Sequence, residues 1–210
     1  MSAPQDTTAT RSDAITDAAT RVFLRYGFKK TSMDDIARAA DISRQGLYLH
    51  FRTKEALFKA ALQRMVSQMQ QAAQAALDRG DLTLEQRLAT VFEAFHGHAV
   101  GTAGDENTNE LLAAAATLAG PLLHQMNQDL VTAVAALLTD TGVAGRWQHS
   151  GISAQDLAEH LHATSSGAKN NTTTPEQYRA LMRTAVRIVT SAPGPHAGTP
   201  DDPTDHRKQE

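Results

Sequence analysis

Cysteine is absent from the 210 residues. That excludes a disulfide-stapled secreted fold and any metal site built on thiolates, and it makes a reducing compartment the simpler setting. Long apolar runs are also missing. None approaches the ~18 residues that a membrane-spanning helix needs, and Met1 to Thr10 are polar with no apolar signal core. A cytoplasmic protein with no membrane partner is the expectation. Catalytic signatures are missing as well: no phosphate loop of the G-x-x-x-x-G-K type, no G-x-G-x-x-G and no G-x-S-x-G occurs, so nothing asks for an enzyme. Histidines do not fill the gap with a metal. His96 and His98 are two apart, as are His160 and His162, and residues two apart on a helix do not face each other. No H-x-x-x-H is present to seed a zinc site, so no metal cofactor is expected.

What is present is helical patterning. Hydrophobic residues make up 41% and charged residues 20% of the chain, a globular balance. Strand-like alternation is missing, and cap residues recur. Arg11 to Tyr26 reads as a helix with Ile15, Ala18, Ala19, Val22, Phe23 and Tyr26 on one face, a box from Thr10 to Asp13 at its start and Gly27 at its end. Ser32 with Asp35, Ser43, and Thr53 predict the starts of three more helices. Beyond Arg79-Gly80-Asp81, Thr83 with Gln86 opens a fifth, and Gly101 to Asn109 reads as a loop. Asn107 with Glu110 opens a short sixth helix that ends near Gly120, and Pro121 suits the first turn of a seventh. A loop with Gly145 and Trp147 follows. Ser153 with Asp156 caps an eighth helix, and Thr174 with Pro175 starts a ninth. The expectation is an all-α fold of about nine helices. Its parts are a disordered 1–9, a three-helix unit over 10–52, a larger bundle over 53–192 and a disordered tail over 193–210, where four prolines gather.

The net charge of −3 conceals an asymmetry. Residues 1–66 carry +4 and residues 67–210 carry −7. Duplex DNA rewards clustered positive charge, so the basic first third is where a DNA-binding element belongs. Residues 33–51, MDDIARAADISRQGLYLHF, have the form of a helix-turn-helix. Ile36, Ala37 and Ala40 supply the inner face of the first helix, Ile42 packs under the turn, and Leu47 and Phe51 anchor the second helix. Asp41 stands where the turn often takes glycine, and it tolerates a left-handed backbone. Arg44 and Gln45 can form bidentate contacts with guanine and adenine, Gly46 allows close approach, and Tyr48 and His50 point outward. Thr31, Ser32, Ser43 and Lys54 are placed for phosphate contacts.

Taken with its surroundings, this segment resembles the TetR family of bacterial regulators. The family pattern resembles YGF-x-x-T-S-M-x-D-I-A followed by S-x-G-x-L-Y-x-H-F-x-x-K-E-x-L, and it runs over about residues 11–60. The resemblance implies an all-helical homodimer with an N-terminal DNA-binding domain and a C-terminal ligand-binding and dimerisation domain. Its partners would be double-stranded operator DNA and a second copy of itself. The implied function is a repressor released from its operator by a small apolar or aromatic effector. A ligand-independent DNA-binding dimer and a metal-responsive sensor are the alternatives. Met65, Met69, Phe92, Phe95, His96, Leu111, Leu112, Leu118, Leu122 and Met126 are candidate effector-pocket residues. The last two helices would supply the dimer face. Leu157, Leu161, Thr164, Ser165 and Ala168 form one stripe, and Tyr178, Leu181, Met182, Ala185, Val186 and Val189 form the other. The same stripes could instead face the chain's own core.

Overall fold

The computed structural model describes residues 5–101 and 106–191. Its helices are α1 (Gln5–Tyr26), α2 (Met33–Ala39), α3 (Arg44–His50), α4 (Lys54–Leu77), α5 (Leu84–His96), α6 (Glu106–Asp140), α7 (Val143–Trp147), α8 (Ala154–Asn171) and α9 (Pro175–Thr190). Among the described residues there are no strands. Residues 1–4 and the tail from 192 lie outside the described residues.

Six helices start where short polar side chains predict. Ser32, Ser43, Thr53, Thr83, Ser153 and Thr174 each accept a hydrogen bond from a backbone N–H in the first turn. Four of these are reciprocal boxes, closed by Asp35, Gln86, Asp156 and Gln177. Each cap satisfies an amide that the helix leaves unpaired.

Other boundaries differ from expectation. The first helix begins at Gln5, not near Arg11, so residues 5–9 are helical and the box placed at Thr10 lies within the helix. The sixth and seventh predicted helices, by contrast, meet where expected: α6 comprises two helices joined at a kink at Ala119 (φ −140°, ψ 22°), next to the expected stop at Gly120. Pro121 accounts for the kink, because it lacks an N–H and its ring crowds the carbonyl one turn earlier. The loop around Trp147 contains α7, and the Trp147 indole donates to the Val189 carbonyl at 2.9 Å.

Two apolar clusters divide the interior. The head cluster joins Ile15, Phe23, Ile36, Leu47, Leu57 and Phe58 to Ala115 and Ala119 of α6. The bundle cluster joins Phe92, Phe95, Leu138, Leu161, Tyr178 and Met182. The kink lies at their boundary, so the first half of α6 covers the head and the second half builds the bundle.

The expected dimer stripes fill the chain's own core. Leu157, Leu161, Ser165, Ala168, Tyr178, Met182, Ala185, Val186 and Val189 are buried within the single chain, and Thr164 is half-buried. Of that set only Leu181 is exposed, and Ile188, outside the set, is more exposed. The stripes were real, but the surface they cover belongs to α5 and α6.

Candidate nucleic-acid interface

The α2–α3 hairpin is fixed by very few groups. Ile36 and Leu47 are fully buried, one from each helix. The chain reverses at Asp41, whose φ of 51° is left-handed, and the Ile42 N–H returns to the Ala37 carbonyl at 3.1 Å. Aspartate tolerates this backbone better than most residues. Ser43 then caps α3 by accepting from the Gly46 N–H at 3.0 Å.

Leu47 is the only buried residue of α3. Helical geometry therefore turns residues 45 and 49 almost directly away from the head. Arg44, Gln45, Tyr48 and Leu49 are exposed, while Gly46 and His50 are half-buried. Leu49 is 82% exposed. It was not among the expected contacts, because an apolar residue in a helix reads as core. Its signal was the two-residue step from Leu47.

Arg44 does not stand free. Its Nη1 lies 2.9 Å from Asp34 Oδ2 on α2, and its guanidinium lies 5.6 Å from the Tyr48 ring centroid. Asp35, next in sequence, is occupied differently. It closes the Ser32 box and pairs with Arg38. Those hydrogen bonds, chiefly from Ser32, hold its carboxyl below the usual carboxylate range.

Three expected phosphate contacts have other work. Thr31 is buried, and its hydroxyl donates to the Gly27 carbonyl at 2.7 Å. Lys54 Nζ donates to the carbonyls of Phe28 at 2.8 Å and Thr31 at 3.0 Å, and it sits 4.5 Å from the Phe28 ring centroid. Ser32 is committed to its cap. Thr31 and Lys54 thus hold the turn between α1 and α2, which α6 grips from the other side. There the Lys29 N–H donates to Glu110 Oε1 at 2.5 Å. Gly27 has a φ of +81°, and a Cβ there would meet Asn107 and Glu110 at 3.3 Å.

The expected pocket residues do not line one cavity. Met65, Leu111 and Leu112 border a half-open apolar groove of about 250 Å³ between α1, α4 and α6, together with Leu24 and Leu62. Phe95 and Met126 border a separate hollow of about 310 Å³, flanked by Gln70, Gln74 and Asp129. Phe92 and His96 are buried in the bundle. Met69 and Leu122 pack on the bundle core, and Leu118 on the head core.

The bundle also encloses a polar chain that the sequence did not reveal. The Tyr178 hydroxyl donates to the Phe92 carbonyl at 2.8 Å. Its oxygen must therefore accept from Ser165, 2.6 Å away. Ser165 in turn must accept from His96 Nδ1 at 2.7 Å. A tyrosine and a serine hydroxyl each carry one proton, so the order fixes that proton on Nδ1. Burial pushes the Tyr178 phenol up to about 12. The His162 ring lies 5.5 Å from that of His96. His162 Nε2 is buried and has no hydrogen-bond partner among the described residues. Burial, helped by Lys169, pushes the His162 imidazole below its ordinary value. Among the described residues no three histidines or carboxylates converge as a metal site would require.

Comparison with known proteins agrees with this geometry. Residues 15–61 match the family model for bacterial regulatory proteins of the tetR family. The HTH-type transcriptional activator FasR of Mycolicibacterium smegmatis is 40% identical over 78 residues, covering 37% of this chain and 35% of its own. The HTH-type transcriptional repressor ComR of Escherichia coli is 33% identical over 82 residues, covering 39% of each. The chain thus spans well under half the length of the curated relatives it matches. A TetR-like transcriptional regulator from Rhodococcus is similar over 85% of this chain and 94% of its own, with 25% identity and a TM-score of 0.59. A TetR transcription regulator from Haloarcula marismortui shares the fold at 14% identity, over 88% of this chain and 98% of its own, with a TM-score of 0.65. A basic head with an exposed helix, the family match over that head and the shared fold over the rest agree: residues 15–61 match the N-terminal region of TetR-family bacterial regulatory proteins, and the chain as a whole is similar in fold to TetR-like regulators.

Proposed function

We propose that this chain is a transcriptional regulator that inserts the outward face of α3 into the major groove of duplex DNA. The observation that carries the proposal is the exposure of Arg44, Gln45, Tyr48 and Leu49 opposite the single anchor Leu47. Arg44 suits guanine, Gln45 suits adenine, and Leu49 suits the methyl group of thymine. The protein acts as a dimer, which sets two heads on half-sites about one helical turn apart. The dimer face is the outer side of α9, where Leu181 and Ile188 are exposed at 40% and 59%.

The effector is a small apolar or aromatic molecule, and its site is the groove between α1, α4 and α6. The lining is almost wholly apolar, which suits such a ligand. The position suits release of DNA: an occupant parts α6 from α1 beside the Glu110 contact that holds the head turn. The protein is then a repressor relieved by that ligand. The bundle interior favours a second reading. Phe92, Leu138 and Leu161 are fully buried there, as in a regulator that only dimerises and senses nothing.

A gel-shift assay on the DNA upstream of the gene, repeated with a panel of small apolar and aromatic compounds, separates these readings. The first expects a shifted band that one class of compound abolishes. It also expects Leu112→Glu to keep DNA binding and lose the response. A band that no compound affects supports the second reading, and no band with any upstream fragment contradicts both.

A further inference from the structure

We propose that Asp34 is a specificity-determining residue that positions Arg44 for base reading, and this rests on α3 being the reading helix. The placement is unusual for a DNA-facing surface. Asp34 is half-exposed in the first turn of α2, beside a polyanion's expected path, and a carboxylate there repels phosphate. Its nearest basic partner could have been Arg38, but the Arg38 guanidinium pairs with Asp35 and gives only its Nε to the Asp34 carbonyl. The Asp34 carboxylate goes instead to Arg44, at 2.9 Å.

The consequence lies in how many donors Arg44 keeps. A guanidinium has five N–H groups in a fixed plane. Asp34 accepts one of them from Nη1, which leaves an unspent edge wide enough for a two-bond contact with guanine. Tyr48 limits the guanidinium from a second direction, at 5.6 Å from its ring centroid. An unrestrained arginine at the end of a flexible stem reaches any nearby phosphate, which adds affinity without sequence information. Held by Asp34 and Tyr48, Arg44 has fewer such options, and the Asp34 charge weakens binding to every sequence alike. The carboxylate retains lone pairs that can accept from the amino group of a neighbouring cytosine. Asp34 therefore raises discrimination at some expense of affinity.

The test uses the intact protein and duplexes that the wild type selects from a random pool. Affinities for the selected duplex and for a mixed-sequence duplex of equal length are measured for wild type, Asp34→Asn, Arg44→Ala and the double variant. Thermal unfolding shows that each is folded. Asp34→Asn is expected to lower the ratio of the two affinities about tenfold, chiefly by strengthening mixed-sequence binding. It should also flatten base preference at the position that Arg44→Ala flattens. In the Arg44→Ala background the same change should leave that position unaltered. A ratio within about twofold of wild type overturns the role of Asp34. So does a loss of preference at a different position. A wild type that selects no sequence overturns the DNA reading itself, which keeps the two failures apart.

Discussion

The head and the bundle hold their helices by different means. In the head, two seven-residue helices are fixed by a turn at Asp41 and by Ile36 and Leu47. In the bundle, helices of 13 to 35 residues lie side by side over a shared apolar core. A helix anchored through one residue leaves most of its surface free, so the chemistry of α3 is on view. A helix anchored along its length spends its patterned face on packing. The head therefore displays its side-chain chemistry, whereas the bundle conceals which surfaces serve folding and which serve assembly.

The two regions are told apart most strongly by emptying one core at a time. Phe92→Ala in the bundle should cost about 3–5 kcal/mol, and Leu47→Ala in the head about 2–5 kcal/mol. Because Phe58, Ala115 and Ala119 make the head core continuous with α4 and α6, both variants should melt in a single transition by calorimetry. An early separate transition in Leu47→Ala would show that the head folds independently.

A smaller effect separates the turn-holding residues from those proposed to face DNA. Lys54→Met removes a cation bonded to the Phe28 and Thr31 carbonyls. It should cost about 1.5–3 kcal/mol in urea unfolding. If Lys54 served phosphate alone, stability would be unchanged and only the salt dependence of DNA binding would fall.

The smallest effect belongs to the bundle and depends on pH. His162 has a lowered pKa in the folded chain, caused by burial and then by Lys169. A depressed base contributes stability above its unfolded value and loses it as pH falls through the folded one. The melting temperature should therefore decline from about pH 7 toward about pH 5, below the ordinary histidine range. His162→Leu should flatten that decline. An equal decline in the variant would assign the acid sensitivity to other groups.

Local patterns were legible in the sequence because their causes are local. A cap and its partner stand three residues apart, so Ser32 with Asp35 and Ser153 with Asp156 are readable without any fold. The left-handed turn at Asp41 was legible for the same reason. The partner of an apolar stripe is not local. Leu161 and Tyr178 read as an uncovered face, and only the fold shows them covered by their own chain. Polar residues are hard to read for a related reason. Thr31 and Lys54 have the right chemistry for phosphate, but carbonyls freed at the α1–α2 turn claimed them first. The Asp34–Arg44 pair spans ten residues, beyond any helix-spacing rule, and the groove at α6 depends on a kink whose effect on packing no motif records.

If α3 reads DNA as proposed, it does so through the major groove with Arg44 as a reading residue. Methylation of guanine N7 alters only that groove, so interference on a duplex selected by the wild type tests it most directly. Methylation at one guanine in each of two half-sites, about 10 base pairs apart, should block the wild type, and Arg44→Ala should lose this sensitivity. An interference pattern that is absent, or that Arg44→Ala leaves intact, would contradict this reading.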